Sequence, residues 1–415
     1  MNATLCILTG CLALIASAST PSAQTLPMPV SEQEYRPVEP AKARLGQMLF
    51  YDRVLSGTYR VSCATCHNHD RGSSNGYRLD GAPEMTFDEM ATNGVSPWAP
   101  FAPSSRHAPA LFNLGAYEFD TLFSDGRVQL KDGQLIVPPE AKLPDGVTDV
   151  LAAQSLFPTI TSDELTGTQG SDLAQSNHSA IWDALVARVA DLPDYTPFFN
   201  AAFDDVAASQ DIRIDHIANA LGAFVASEWR SDNAPFDRYL RGDATALSMQ
   251  QQRGMKLFYG EAGCNVCHSG SFQTDHGFHA AFLTAPQHKS EAEKGDRPRW
   301  LGRMNVTGDA KDLMKVRTPS LRNVARTAPY GLAGQYETLE ELMRVHAGGF
   351  DAVKIGSYRP ADSDTEMDIR VRRVERASLE EQKDLIAFLE SLTDEAGLAG
   401  RLGKPEAVPS SLAID

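Results

Sequence analysis

Apolar residues recur every three or four positions in two stretches of the chain, and this spacing predicts two amphipathic helices. The first stretch covers residues 212–230, and its apolar face consists of Ile214, Ile217, Leu221, Phe224 and Val225. At the start of the second stretch, Ser378 and Glu381 have the spacing of a capping box. Its apolar stripe then consists of Leu385, Ile386, Leu389 and Leu392. We expect this closing helix to pack on the C-terminal half of the protein.

An internal repeat divides the chain into two halves. Residues 45–52 read Leu-Gly-Gln-Met-Leu-Phe-Tyr-Asp, and residues 253–260 read Arg-Gly-Met-Lys-Leu-Phe-Tyr-Gly. Each copy has the pattern of the end of an apolar helix, followed by a short loop that leads to a pair of cysteines. Between the copies, residues 233–237 contain a proline that ends the first long helix and begins the crossing into the second half.

Both copies of the repeat lead into Cys-x-x-Cys-His, the signature of covalent c-type haem attachment. The two motifs consist of Cys63, Cys66 and His67, and of Cys264, Cys267 and His268. Two thiols at this spacing can form thioethers with one porphyrin, while the adjacent histidine binds the iron. A single copy would also fit a zinc or redox motif, but two copies that both end in histidine predict two covalently bound haem c groups. The remaining two of the 6 cysteines precede residue 24, which leaves none for a disulfide.

These elements predict a mainly α fold with two cytochrome c-like haem domains and long connecting loops. Stretches rich in proline and glycine, at residues 93–109 and 138–147, predict such loops. The predicted division of the chain is a signal peptide, an N-terminal haem domain, a C-terminal haem domain and a tail, over residues 1–23, 24–235, 236–400 and 401–415.

The first residues and the charge suggest where the protein works. The apolar stretch from Leu5 to Ala18, followed by small residues, predicts a cleaved signal peptide and a periplasmic protein without a membrane span. Lipoprotein anchoring at Cys11 is the alternative. A formal net charge of −16 disfavours nucleic acid and anionic membrane surfaces as partners. It suits a small electron-transfer protein docking at a haem edge, although it could also serve solubility alone.

The chain resembles the bacterial di-haem cytochrome c peroxidases and the related di-haem enzyme of methylamine utilisation, MauG, from about residue 40 to 395. Besides the repeat and the haem motifs, the shared segments are Arg106-His-Ala-Pro-Ala-Leu-Phe-Asn113, Asp125-Gly-Arg127, Asn233-Ala-Pro-Phe-Asp-Arg-Tyr-Leu-Arg-Gly-Asp243, Thr318-Pro-Ser-Leu-Arg-Asn323 and Thr327-Ala-Pro-Tyr330. The resemblance implies that hydrogen peroxide reacts at the N-terminal haem and that the C-terminal haem transfers electrons.

The resemblance also implies a set of catalytic residues. The family places a glutamate beside the N-terminal haem to move a proton between the peroxide oxygens, with a glutamine ten positions earlier. Here Glu164 and Gln154 have that spacing, and Pro158 matches a pocket proline of MauG. Alternatively, Glu164 is a first-turn helix residue near the caps Thr161 and Ser162.

Iron ligation is expected to differ from that of the peroxidases, in which a histidine after the first haem motif blocks the iron. Residues 79–105 contain no histidine, so we expect a five-coordinate N-terminal haem, as in MauG. His69 lies too near His67 to reach the opposite face. His107 stands where the family has an asparagine, and we expect it to anchor a loop.

The second ligand of the C-terminal haem lies, in the family, nineteen residues beyond the threonine of Thr-Ala-Pro. Counting from Thr327 gives His346 and bis-histidine ligation. The competing candidate is Met343, for which packing is the preferred interpretation.

Two further positions depart from the family. Ser124 replaces the tryptophan that lies between the haems, and Trp98, Trp182, Trp229, Trp300 and Phe123 are candidate substitutes. A calcium ion between the domains would use carbonyls that match Thr327 and Pro329. His107 replaces one of its ligands, and imidazole is a poor ligand for this hard cation, so the alternative is calcium bound there through water.

Three functions fit these observations. The first is a peroxidase that reduces hydrogen peroxide with electrons from a small cytochrome c or cupredoxin. The second is a MauG-like enzyme that oxidatively modifies aromatic residues of a partner protein. The third is a plain electron-transfer cytochrome, which would need neither Glu164 with Gln154 nor an open iron.

Overall fold

The computed structural model describes residues 26–76, 107–139, 141–161, 164–167, 171, 173, 177–280, 301–332, 334, 336–344 and 377–415. Most of the regular structure is helical, as predicted. The helices are α1 (Pro40–Tyr51), α2 (Cys63–Cys66), α3 (Val150–Ser155), α4 (Phe157–Ile160), α5 (His178–Ala190), α6 (Thr196–Ala202), α7 (Ile214–Glu228), α8 (Pro235–Leu240), α9 (Met249–Phe258), α10 (Met304–Thr307), α11 (Leu379–Glu390) and α12 (Glu395–Leu398). Residues 339–344 are also helical. No helix within these ranges is both long and apolar enough to cross a bilayer.

Short strands and 3₁₀ turns complete the fold. Strands β1 (Thr121–Leu122), β2 (Val128–Lys131) and β3 (Gln134–Ile136) form an antiparallel sheet in that order, and β4 (Phe278–His279) pairs with β5 (Val316–Arg317). The 3₁₀ helices are Glu32–Glu34, Arg53–Leu55, His69–Arg71, Pro193–Tyr195, Ser209–Asp211, Cys264–Val266, Ala310–Asp312 and Val324–Arg326.

The core of the N-terminal half forms around α7, which packs against α1 and α3. Most of the apolar face predicted for residues 212–230 is buried here, with Leu221 and Phe224 almost inaccessible to water, while Ile214 is half-buried. Gly46 of α1 crosses α7 so closely that a Cβ atom would lie 1.9 Å from the carbonyl oxygen of Ala220. Two helix backbones can approach this closely only where one of them carries no side chain.

The C-terminal half repeats the same arrangement with α9 and α11. The capping box is present, since the backbone N–H of Ser378 donates to Glu381 and that of Glu381 donates to the Ser378 hydroxyl. The apolar stripe of α11 faces α9, which confirms the predicted packing of the closing helix on this half. Gly254 again marks the crossing, because its Cβ would lie 1.8 Å from the carbonyl oxygen of Asp384. The glycine shared by the two repeat copies therefore has one structural role.

A small apolar cluster joins the two halves. Phe272, which follows the second haem motif, contacts the rings of Tyr35 at 6.0 Å and Phe119 at 5.5 Å, centroid to centroid. Beside it, Arg322 and Asp237 form a fully buried two-pronged ion pair, with nitrogen–oxygen distances of 2.6 and 2.9 Å. This pair fixes the start of α8 against the loop that carries Thr318-Pro-Ser-Leu-Arg-Asn323.

Residues 401–415 return to the N-terminal half and lie across it as a strap. Glu228, at the end of α7, accepts hydrogen bonds from the backbone N–H groups of Leu402 and Gly403, each at 2.8 Å. Farther along, Asp415 pairs with Arg53 at 2.5 Å and is almost completely buried. The expected tail is thus packed on the domain that carries the first haem motif, while the domain boundaries stay a prediction.

Candidate functional site

The first haem motif forms a short helix that begins at its first cysteine. Helix α2 spans Cys63–Cys66, and the backbone N–H of His67 donates to the carbonyl of Cys63 at 2.9 Å. The Nδ1 atom of His67 hydrogen-bonds to the carbonyl oxygen of Ser73 at 3.0 Å. Burial lowers the pKa of His67, which favours neutral imidazole. In that form Nδ1 donates its proton to Ser73, and Nε2 is the nitrogen suited to bind iron.

The second motif has the same pattern of hydrogen bonds around its histidine, on the 3₁₀ turn Cys264–Val266. The backbone N–H of His268 donates to the carbonyl of Cys264 at 2.9 Å, and its Nδ1 bonds to the carbonyl of Gln273 at 3.2 Å. Before haem is attached, burial raises the pKa of both Cys63 and Cys264 to about 12, which favours the neutral thiol over the thiolate. All four motif cysteines, Cys63, Cys66, Cys264 and Cys267, are free of disulfides. Each motif therefore offers the two thiols and the oriented imidazole that haem c requires.

Glu164 lies beside the first haem motif, in a turn that follows α4. Burial contributes most to the raised pKa of Cys63, and the charge of Glu164 raises it further, so the carboxylate is close to this thiol. The backbone N–H of Glu164 donates to the carbonyl of Thr161 at 3.1 Å. The alternative reading of Glu164 as a first-turn helix residue is wrong, because the residue occupies this turn instead.

The turn that carries Glu164 is held by its neighbours in α4. The carbonyl of Pro158 accepts a hydrogen bond from the N–H of Leu165 at 3.0 Å, and the Thr166 hydroxyl donates to the carbonyl of Thr159 at 2.6 Å. Pro158 thus supports the turn through its backbone. Gln154 lies one helix earlier, half-buried in α3. The pairing of the Gln154 and Glu164 side chains in one pocket stays a prediction.

Contacts outside the turn tie it to the segment before the haem cysteines. The N–H of Gly57 donates to the carbonyl of Leu165 at 2.8 Å, and Nε1 of Trp182 donates to the Thr159 hydroxyl at 3.0 Å. The backbone of Gly57 passes so close to Thr166 that a Cβ atom would lie 2.0 Å from the Thr166 carbonyl oxygen. Gly57, Thr159 and Thr166 support this turn and were missed from the sequence, since nothing in their local pattern signals contacts with residues far along the chain.

Two histidines near the first motif have other roles. Nδ1 of His69 shares a hydrogen bond with the Tyr51 hydroxyl at 3.2 Å. The backbone N–H of His107 donates to the carbonyl of Leu332 at 2.7 Å, which joins the two halves as expected of a loop anchor. Burial lowers the pKa of His107 to about 4, so its imidazole is neutral.

The ligation predictions fall partly outside the described residues. His346 and residues 79–105 lie there, so bis-histidine ligation and the open N-terminal haem stay predictions. Met343 is described, and it packs against the apolar cluster of the C-terminal half.

The predicted calcium carbonyls lie where the two halves touch. Thr327 and Pro329 follow the turn Val324–Arg326, and Gly72 of the first haem loop abuts this segment. A Cβ on Gly72 would lie 2.9 Å from the carbonyl oxygen of Arg326. Calcium binding between these carbonyls stays a prediction.

The segment after the second motif contacts the second cysteine of that motif. Asp275 and His279 are hydrogen-bonded at 2.8 Å, and ligand atoms of these two residues and Cys267 lie within 4.8 Å of one another. A hydrogen bond to Cys267, followed by one to Asp275, raises the pKa of His279 to about 9. Because Cys267 is a haem-attachment thiol, this group belongs to the haem environment rather than to a separate metal site. His276 instead pairs with Glu118 at 2.9 Å.

Among the aromatic substitutes considered for the inter-haem tryptophan, Phe123 packs on α4. Its ring contacts that of Phe157, the first residue of α4, at 5.5 Å, and the Arg127 guanidinium lies 3.5 Å from its centroid. Trp182 and Trp229 are buried core residues, whereas Trp98 and Trp300 lie outside the described ranges.

Comparisons with known proteins agree with these sites. Residues 40–245 match the family described as di-haem cytochrome c peroxidase. The methylamine utilization protein MauG of Methylorubrum extorquens is 30% identical over 371 residues, covering 89% of this chain and 83% of that protein. The cytochrome c551 peroxidase of Pseudomonas aeruginosa is 28% identical over 345 residues, covering 80% of this chain and 83% of that protein.

Solved structures of two related proteins have a similar fold. A MauG-like protein associated with microbial copper homeostasis has a TM-score of 0.61 and 27% identity, covering 92% of this chain and 97% of its own. The diheme peroxidase BthA from Burkholderia thailandensis has a TM-score of 0.59 and covers 92% of each chain; at 21% identity it shows the fold alone. Together with the two haem motifs, these matches establish that the chain belongs to the di-haem cytochrome c peroxidase family, whose members are oxidoreductases with two haem c groups.

Proposed function

We propose that the protein is a periplasmic peroxidase that reduces hydrogen peroxide at the haem held by Cys63, Cys66 and His67. Electrons would reach this haem through the one held by Cys264, Cys267 and His268, from a small cytochrome c or cupredoxin. The observation that carries the proposal is the position of Glu164, whose carboxylate lies close enough to Cys63 to raise its pKa. An electron-transfer cytochrome has no need of a carboxylate at this place.

The chemistry needs a group that moves one proton. Haem, when bound, supplies an iron that accepts peroxide and delivers two electrons, and two protons complete the reduction to two water molecules. Glu164 accepts the proton of the inner oxygen and returns it to the outer oxygen, which then leaves as water. Gln154 orients the substrate, and Pro158 holds the turn through the bond of its carbonyl to Leu165.

The substitution Glu164→Gln tests this role, because it keeps the shape of the side chain and removes its basic oxygen. The rate of the oxidised protein with stoichiometric peroxide should fall by about 10²–10⁴-fold, while both haem spectra stay unchanged. Gln154→Ala should cost less, since an orienting group transfers no proton. Glu39→Gln is the matched control, an exposed carboxylate before α1. Unchanged kinetics in Glu164→Gln would return this residue to a structural role and favour the electron-transfer cytochrome.

A MauG-like reaction on a partner protein is the second candidate. Its support is the 30% identity to MauG over 89% of this chain. Peroxide turnover separates the two functions. A peroxidase oxidises a reduced small cytochrome or cupredoxin catalytically, with two electrons consumed per peroxide. A protein-modifying enzyme oxidises these donors poorly and leaves its substrate protein with a changed mass at an aromatic residue.

The proposal also includes export to the periplasm and a bound calcium ion. The signal peptide of residues 1–23 would direct the protein to the periplasm, with lipoprotein anchoring at Cys11 as the alternative. The mass of the mature N-terminus distinguishes the two, since a lipoprotein begins at Cys11 and carries lipid. Calcium at the carbonyls of Thr327 and Pro329 is tested by metal analysis of the purified holoprotein before and after chelation.

A further inference from the structure

Arg317 is half-buried, and its guanidinium has no counterion among the described residues. It ends β5, and its Nη1 atom is enclosed by protein yet has no hydrogen-bond partner there. Burial lowers the pKa of Arg317 to about 10, and the negative charge of Asp120 opposes this shift. An enclosed guanidinium nitrogen with no acceptor is costly, because the cation has lost its water without gaining a partner.

The position of Arg317 is fixed from both halves of the protein. Its backbone N–H donates to the carbonyl of Ser124 at 2.8 Å, and its Nε donates to the carbonyl of Phe123 at 3.3 Å. The next residue, Thr318, donates its N–H to the carbonyl of Gly277, in the loop that follows the second haem motif. Arg317 therefore spans from the haem-attachment loop of one half to the segment beside α4 in the other.

Neighbouring arginines all have acceptors. Arg322 pairs with Asp237, and Arg127 pairs with Asp125 at 3.0 Å. Arg303 donates to the carbonyls of Asp125 and Gly126 at 2.9 and 2.8 Å. Nη1 of Arg317 differs from these groups, because it is enclosed and lacks an acceptor among the described residues, and an anion that enters between the two halves would supply one.

Haem c brings two such anions, since each porphyrin carries two propionate carboxylates. We propose that the Arg317 guanidinium binds a haem propionate at the seam between the halves. A planar guanidinium and a carboxylate form a strong charge-assisted pair, with donors and acceptors matched in geometry. Such a pair also neutralises a carboxylate near the iron, which makes reduction of that haem easier.

Midpoint potentials of the two haems test this proposal independently of turnover. Arg317→Met should leave the propionate charge uncompensated and shift the oxidation equilibrium of one haem at least tenfold towards the oxidised form, which is 59 mV for one electron. Arg317→Lys should retain most of the wild-type potential, because it keeps the charge. The haem whose potential moves identifies the source of the propionate.

Arg303→Met is the matched control, because it removes a guanidinium from the same seam whose acceptors are backbone carbonyls. It should shift both potentials by much less. The proposal is overturned if Arg317→Met moves neither potential, or if Arg303→Met moves them as far. Where Arg317→Met fails to incorporate haem, Arg317→Gln gives the same measurement, since it keeps donors but loses the charge.

Discussion

The hydroxyl of Ser62 donates a hydrogen bond to the carboxylate of Asp415 at 2.8 Å. Ser62 immediately precedes the first haem cysteine, while Asp415 ends the strap of residues 401–415. The hydroxyl of Thr65, inside the same motif, donates to the same oxygen at 2.5 Å. One buried carboxylate from the far end of the sequence thus holds the start of α2, where negative charge is also favoured by the helix dipole.

The Asp415 contact predicts a large effect on stability. Asp415→Ala removes the buried ion pair with Arg53 and the one oxygen that accepts hydrogen bonds from both Ser62 and Thr65, so the free energy of unfolding should fall by about 3–5 kcal/mol. Chemical denaturation of the holoprotein measures this. The control Glu395→Gln breaks the exposed pair with Arg326 and should cost less than about 1 kcal/mol. If the free energy of unfolding fell equally in the two variants, burial of the Asp415 carboxylate would not explain its contribution.

Gly46 and Gly254, at the two helix crossings, predict that a substitution at either position perturbs only the half of the protein that contains it. Gly46→Ala forces α1 away from α7, and Gly254→Ala forces α9 away from α11, because each new methyl group collides with a backbone carbonyl. Each variant should lose about 1–3 kcal/mol or more. The absorption spectrum of the N-terminal haem should change only in the first variant, and that of the C-terminal haem only in the second. Equal perturbation of both haems in either variant would argue against this local role.

Iron ligation gives a spectroscopic prediction. The oxidised protein should contain one high-spin and one low-spin haem, and it should bind cyanide without prior reduction, because residues 79–105 supply no blocking histidine. His346→Ala should convert the low-spin signal, as seen by electron paramagnetic resonance. Met343→Ala should leave it almost unchanged, since Met343 packs in the apolar cluster. A low-spin signal that survives the loss of His346 would refute the ligand assignment.

The ion pair between Arg253 of α9 and Asp384 of α11 predicts that the stability of the fold depends on pH. Hydrogen bonds from Arg253 lower the pKa of Asp384 below its usual value of 3.8. A depressed carboxyl pKa stabilises the fold above the unfolded-state value, and this contribution is lost as the pH falls through the folded-state value. Asp384→Asn should therefore lower the melting temperature at pH 7 more than at pH 3. A melting difference independent of pH would show that the charge of Asp384 is unimportant.

Local sequence patterns predicted the helices well, because helical periodicity and capping depend only on residues a few positions apart. The apolar face of α7 and the capping box at Ser378 both follow from spacing alone. The β2–β3 hairpin was missed although it had a signal. Asp132-Gly133 lies between short alternating segments, and both residues adopt positive φ values of 52° and 76° in the turn.

The rest of the site could not be read from spacing. The turn around Glu164 depends on Gly57 and Trp182, which are far away in sequence, and Arg317 meets Ser124 only in the folded chain. The family resemblance identified Glu164 and Gln154 as candidate residues. It could not identify the residues that hold the turn, because they act through tertiary contacts. The strap is the clearest case, because nothing in residues 401–415 indicates a binding partner near residue 62.

The strap has a consequence for how the protein matures. Synthesis proceeds from the N-terminus, so Cys63 and Cys66 emerge, and the second motif after them, long before Asp415 exists. The first motif therefore lacks this contact until residue 415 has been made. Docking of Asp415 then closes over Ser62 and Thr65 as a late step. The hydrogen bonds of Ser62 and Thr65 to Asp415 are therefore among the last that the first motif can form during synthesis.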